Sequence, residues 1–572
     1  MFRLCMSLFI ILTGCTHKDT PTYADEEQQT VDMITESDGL GGVIEADFSV
    51  SMMDSGTSVQ DMHIVDSEMD LMIDANVDLA DSTVQDFETD PLDMNETDMS
   101  LAMAQDMAND EPIDMSLIDM TVEDLSSVGI ADWFQTFGGG DHEEVKSVAT
   151  DSEGNVYVLG NFYGNITFGE QSFVHTEPGT YTPDIFVASY TATGLLRWAQ
   201  TYGARGGDLG VQIAIDGDDH LYLLGYHHSS LTVGDEILQV IGDNDADIFV
   251  ISLDRDGHYR WAKNWGGINS ESPSALTVNA EGDLFITGSF QGYIAADGLQ
   301  AMTHLELGGL SEIFVLAIDG ETLMARWLTS FSGYGHDVGT ALQVSDSGQV
   351  ALAISYQQDL VISDSITFNS GGLAFGIGLI GIDTNGSINW AQDFFGTGSE
   401  EIRGVDIDDQ GAIYLTGIFS SEVTLGGPLL SGIEGHDVML AKFDHDGTHI
   451  WSKGYAGNGF DQALGLDVQG QVVYITGRFK QNLSFDDFTL NSPDHYEVFV
   501  GAFLTSNGNT LWVDSVGSLG DDQGNSIEAS NQGSLFVGGY HRTDVNFGEM
   551  NYPPTSSQSN DAYILRYIIE TE

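Results

Sequence analysis

"DIFVISLDRDGHYRWAKNWGG", residues 247–267, is an apolar run, a tight Asp/Gly turn, and a second run that carries a Trp and ends in two glycines. Variants of it recur along the chain, marked by Trp133, Trp198, Trp261, Trp327, Trp390, Trp451 and Trp512 at intervals of 61–66 residues. A fixed period of this size is the signature of a repeat architecture. After each Trp a Gly-rich turn leads to a short strand such as "KSVATD" (146–151) and then to a second such as "VYVLGNF" (156–162). A long loop follows, and a third strand of the "DIFVISL" kind returns the chain to the next Trp. Runs rich in β-branched and aromatic residues, bounded by Gly, Asp and Asn, predict four antiparallel strands per unit.

The third strands are nearly continuous apolar runs, which predicts cover on both faces. Blades stacked radially supply that cover. The chain also begins its first unit with a Trp strand, "ADWFQTFGG" (131–139), and ends its last with a third strand, "DAYILRYIIETE" (561–572). Together these halves complete one blade. The expected fold is all-β: a seven-bladed β-propeller of four-stranded antiparallel blades over 129–572, its N-terminal strand closing the last blade so that no sheet edge is left open. In "SVATDSEGNVYVLGNF" (147–162) with "DIFVASY" (184–190), and in "VDIDDQGAIYLTGIF" (405–419), the chain resembles the SBBP-type β-propeller repeat of exported bacterial proteins over residues 132–567. The resemblance implies the fold and carries no single activity. The fourth unit departs from it, with "VALAISY" (350–356) where the others place a Gly.

The N-terminus, "MFRLCMSLFIILTGC" (1–15), holds an apolar stretch too short to cross a bilayer and reads as an export signal. Leu12-Thr13-Gly14-Cys15 resembles the lipobox of bacterial lipoproteins, which implies removal of residues 1–14, diacylation of Cys15 and a membrane anchor. Thr16, with no Asp after the lipidated Cys, implies the outer membrane. Cys5 and Cys15 are the sole cysteines, so neither a disulfide framework nor a thiolate metal site is available. From 15 to 128 the chain is acidic and Met-rich, with 30 Asp and Glu and no Lys or Arg after Lys18. Such a composition predicts a disordered linker, with a reach of about 55–65 Å. A net charge of −73 argues against nucleic acid as a partner.

An acid stands ten residues after every Trp: Glu143, Asp208, Glu271, Asp337, Glu400, Asp461 and Asp522, where the domain's acid content would place about one by chance. Such a ring either caps backbone N–H groups at the entry to the innermost strand or, lining the channel mouth, offers oxygen ligands to Ca²⁺. No other cofactor is called for. A second ring, Phe162, His227, Phe290, Tyr356, Phe419, Phe479 and His541, ends each second strand. Its two histidines sit in "GYHHSS" and "GYHRTD", which makes Tyr226, His227, His228, Tyr540 and His541 candidates for a ligand pocket. Gly-x-Ser-x-Gly, HExxH and phosphate-loop motifs are missing. The 14 Lys and Arg after residue 128 are scattered, unlike the arginine cluster of a sialidase propeller. The Trp pattern departs from the longer motif of quinone-binding propellers. The reading is a cell-envelope lipoprotein, periplasmic or surface-exposed, whose propeller binds or scaffolds a protein or glycan through its loop-rich face. The alternative is an exported hydrolase or lyase using acids and His on that face.

Overall fold

The computed structural model describes residues 128–570 except 243–245, 304–309, 346, 372–374, 548–549 and 555–558, and, before them, only the hairpins Val31–Thr35 with Ile44–Phe48 and Val65–Asp66 with Met69–Asp70. The export signal, Cys15 and most of the acidic segment lie outside the described residues.

Seven four-stranded antiparallel sheets follow one another along the chain, and no helix occurs among the described residues. Blade 1 runs from an innermost strand Glu143–Thr150 through a second strand Val156–Phe162 and a third strand Asp184–Tyr190 to an outer strand Leu196–Tyr202, which holds Trp198. Blades 2 to 6 repeat this order. In blade 7 the outer strand is Val128–Phe137, paired antiparallel with Asp561–Glu570 from Ala562↔Phe137 to Glu570↔Val128. The expected closure is therefore formed. Every residue of the third strands in blades 1, 2 and 3 is buried, the burial that their unbroken apolar runs require. A register shift recurs near the third residue of all seven innermost strands, between Val145 and Ser147 in blade 1, and adds twist where the strands crowd the axis.

The long loops are more ordered than the sequence suggests. Each carries a small hairpin, such as Ile166–Phe168 with Gln171–Phe173 in blade 1. Several hairpins add to the outer strand of the preceding blade: Gly266 and Gly267 of blade 2 pair with Ala295 and Ile294 of blade 3. Glycine is needed there, because a Cβ on Gly267 would lie 1.5 Å from the Tyr293 carbonyl oxygen.

The buried apolar side chains form seven clusters, each shared by two adjacent blades. The Trp of the opening motif belongs to these junctions. Trp198 of blade 1 donates its Nε1–H to Arg255 O in the turn of blade 2, at 3.2 Å, and its ring lies on Gly257 of that turn. Trp133, Trp327, Trp390 and Trp451 do the same at Ala192, Thr384, His445 and Thr505, each at 3.0 Å. Gly257 has φ +83°, a left-handed conformation that suits Gly and leaves room for the indole. The turn's own Asp fixes it, since Asp254 Oδ1 accepts the N–H groups of Asp256 at 2.9 Å and His258 at 2.8 Å.

Around the axis, side chains of the innermost strands bond from blade to blade. Ser147 Oγ accepts Ile213 N–H at 3.2 Å, and Gln212 Oε1 accepts Leu276 N–H at 2.9 Å. Thr277 donates to Gln343, and Gln343 Nε2 donates to Asp406 Oδ1 at 2.7 Å. Asp406 and Asp467 accept Val468 and Ala529 N–H at 2.8 and 2.9 Å. Ser526 Oγ accepts Val148 N–H at 3.1 Å, which closes the circle.

Replacing Trp327 by Ala removes both the indole packed on Gly386 and the bond to Thr384. The half-buried ring and one hydrogen bond together predict a loss of about 2–3 kcal/mol in urea unfolding, with Trp327→Phe recovering most of it.

Candidate functional site

The seven ring acids do not line the channel mouth. All are buried at the blade junctions, the most exposed being Glu400 at 4 %. Six of them, all but Glu143, cap backbone donors in the Gly-rich turns or after the second strands. Asp208 Oδ2 accepts Ala204 N–H at 2.5 Å, Glu271 accepts Gly267 N–H at 3.2 Å, and Glu400 accepts Gly398 N–H at 3.1 Å. Asp337 and Asp461 each accept at 3.0 Å from Gln357 and Lys480, while Asp522 takes Ser518 N–H at 2.5 Å and Arg542 N–H at 3.0 Å. Burial raises Asp208, Asp337, Glu400, Asp461 and Asp522 to about 7. Burial, with Asp561 adding repulsion, takes Glu143 to about 9.

A partner row of acids opens the third strands, Asp184, Asp247, Glu312, Asp437 and Asp561, with Glu497 at the same register inside the longer strand of blade 6. Each faces the ring acid of the following blade, so that Asp184 raises Asp208 and Asp437 raises Asp461. Blade 4 is the exception: Gly376 holds this place, and the Tyr356 ring fills the space with its hydroxyl 2.5 Å from Asp393 Oδ1. The row was visible in the sequence as the first letter of the "DIFV" motif. Among the described residues no three His, Cys, Asp or Glu side chains form a ready metal-binding group.

The two histidine motifs divide. His227 and His541 are buried, at 0 % and 1 %, with Nδ1 at 2.6 Å from Ser229 O and 2.9 Å from Thr543 O. Both occupy the place of the packed aromatics, and burial lowers their pKa. Their neighbours Tyr226 and Tyr540 are half-buried, and His228 is exposed and 5.7 Å from the Tyr226 ring. Around these tyrosines the loop-rich face gathers side chains that sequence periodicity does not mark. His142, Tyr163 and Tyr181 form an aromatic cluster in blade 1, the two tyrosine rings 5.3 Å apart. Arg478 of blade 6 lies 4.4 Å over the Tyr496 ring and donates to Gln462 at 2.9 Å. Tyr163 feels both Glu144 and Tyr226, and Tyr540 feels Arg478 and Glu144, so the groups of blades 6, 7, 1 and 2 form one neighbourhood. Lys146 pairs with Glu144 at 2.9 Å within it.

Three further acids, Asp406, Asp467 and Glu528, take the same position on the innermost strands of blades 5, 6 and 7. Burial and mutual repulsion raise Glu528 well above the usual carboxylate range, and burial raises Asp406 to about 6 and Asp467 to about 8.

No family model matches the chain. It is similar to the regulatory protein FlaEY of Caulobacter vibrioides, at 22% identity over 445 residues, covering 74% of this chain and 46% of that protein. It is equally similar, at 22% over 533 residues, to an uncharacterized WD repeat-containing protein of Acanthamoeba polyphaga mimivirus, covering 76% and 38%. The chain thus spans less than half the length of these relatives. Among solved structures it is similar to the Dos1 propeller, with 9% identity, TM-score 0.38, and coverage of 78% of this chain and 97% of that one. A quinohemoprotein alcohol dehydrogenase from Comamonas testosteroni gives 11% identity, TM-score 0.38, and 78% and 77% coverage.

Because Asp406, Asp467 and Glu528 titrate above their unfolded values, protonation favours the folded ring. The stability they contribute is complete below about pH 4 and is lost as pH rises through 6 and 8. Asp406→Asn/Asp467→Asn/Glu528→Gln, which keeps an acceptor for each backbone donor, should flatten the decline in melting temperature between those pH values.

Proposed function

We propose that this chain is a cell-envelope lipoprotein, anchored through Cys15 to the outer membrane and exposed on its periplasmic or outer side. Its propeller binds or scaffolds a protein or glycan without chemistry. The observation that carries the binding reading is the neighbourhood at the mouth of the loop-rich face, where Tyr226, Tyr540, Tyr163 and Tyr181 stand with Arg478 and Glu144. The half-buried Tyr163, Tyr226 and Tyr540 and the exposed Tyr181 offer rigid apolar faces with polar tips, and the charged groups among them fix orientation. That combination suits a sugar ring, which is apolar on one face and hydroxylated at its rim, so a glycan is the favoured ligand. The hydrolase alternative draws no support from the ring acids, which are all buried and, in six of the seven, bonded to backbone donors. The acidic segment would act as a spacer between anchor and propeller.

Two measurements test this reading. On a glycan array the full chain should bind at least one class of envelope saccharide, and Tyr226→Ala with Tyr540→Ala should weaken that binding by about tenfold or more. Equal binding by the variant, or none by the wild type, would remove the glycan reading. Cys15→Ala should move the protein from the membrane fraction to the soluble fraction, and continued sedimentation with membranes would contradict the anchor.

A further inference from the structure

In a chain with far more acids than bases, a cation that pairs with no acid stands out. Eleven of the 14 Lys and Arg after residue 128 form an ion pair with a carboxylate. Among the described residues Arg260, Arg478 and Arg542 do not. Arg260 lies on the outer strand of blade 2 and donates to Ser252 Oγ at 2.8 Å. The other two belong to adjacent blades on the loop-rich face, Arg478 directly after Gly477 in the second strand of blade 6 and Arg542 just beyond the second strand of blade 7.

Arg478 is half-buried and held in place from three sides. Its Nε donates to Gln462 Oε1 at 2.9 Å, its guanidinium carbon lies 4.4 Å from the centre of the Tyr496 ring, and the Tyr540 hydroxyl of blade 7 is within its hydrogen-bonding reach. A guanidinium presents a planar fork of N–H donors, and no carboxylate of the described residues takes this one. The acids around it are engaged elsewhere: Glu144 pairs with Lys146 at 2.9 Å, Asp521 Oδ1 accepts Tyr496 N–H at 3.1 Å, and Asp494 faces Lys480 at 3.7 Å. Withdrawing a cation from water without a counter-ion is costly, and stacking on a tyrosine offsets only part of that cost. The more distant charge of the chain is screened beyond about 8 Å at physiological salt, so these local groups decide what the face binds.

We propose that Arg478 receives the carboxylate of an acidic saccharide, with the rings of Tyr496 and Tyr540 beside it. The proposal rests on the glycan reading above and narrows it to sugar acids such as uronates. A carboxylate is planar and meets the guanidinium fork with parallel hydrogen bonds. It also brings one negative charge to one free guanidinium, whereas a phosphate monoester brings about two. Arg542, exposed and unpaired on the next blade, adds to the local positive potential.

The test presents the full chain with oligogalacturonate, oligomannuronate and hyaluronan fragments, each beside its methyl ester, which keeps the sugar and removes the charge, and with the neutral saccharides of the array. The wild type should bind at least one of these acids about tenfold or more tighter than its ester. Arg478→Gln should lose that preference while its melting temperature stays within about 3 °C of the wild type. Arg478→Lys, which keeps the charge and loses the fork, should fall between the two. Equal affinity for acid and ester, or a preference that survives in Arg478→Gln, would overturn the proposal. Binding confined to neutral saccharides would overturn it and leave the glycan reading in place, whereas no binding to any saccharide would remove both. Should Arg478→Gln fail to fold, Arg478→Lys carries the comparison, and an undiminished preference there would overturn the proposal.

Discussion

A four-stranded blade of this protein has no interior of its own. Each apolar cluster is made by two blades, so the unit that folds is the junction, and every regular feature of the sequence serves one. Because both sheet faces are covered, the third strands need unbroken apolar runs. The outermost Trp reaches over its neighbour's turn, so that turn needs a left-handed Gly and an Asp to hold it. A ring of such junctions must also close, and the N-terminal strand supplies the outer strand that blade 7 would otherwise lack. Closure gives blade 7 the same four strands as the others and leaves as edges only the short outer strands.

Polar groups at the junctions follow from the same constraint. Where the chain passes from one blade to the next it turns sharply through glycine, and its backbone N–H groups are sealed from water. At six of the seven junctions a carboxylate accepts such a donor, which accounts for the ring of acids better than a channel lining does. The solution has a cost, because the third strand of the preceding blade places a second acid against the first. Blade 4 shows the alternative, with Gly376 in place of that acid and the Tyr356 hydroxyl turned to Asp393 instead. Compensation of the remaining pairs is a requirement of the fold before it is a matter of function.

Much of this was legible in the sequence. The Trp period gave the blades, the mismatched ends gave the closure, and the constant spacing from Trp to acid gave the ring, because repetition turns a weak local signal into a pattern. The burial of that ring was not legible, since spacing does not distinguish a channel wall from a junction. Nor did the two histidines keep the place expected of them: His227 and His541 substitute for packed aromatics, and the adjacent Tyr226 and Tyr540 reach the surface. Tyr163, Tyr181, Arg478 and Tyr496 come from loops and strand ends of different blades, where no period operates. Asp406, Asp467 and Glu528 occupy an equivalent position in only three blades, too few to stand out from an acidic background.

The central claim is that the blade junctions bury carboxyl groups that must be neutralised. Infrared difference spectroscopy of the full chain at neutral pH measures this directly, through the C=O stretch of protonated carboxyl groups. The band should be present at pH 7 and weaken as the pH is raised through 9. Its absence at pH 7, with the propeller folded, would mean that the acids are ionised in place and would contradict this claim.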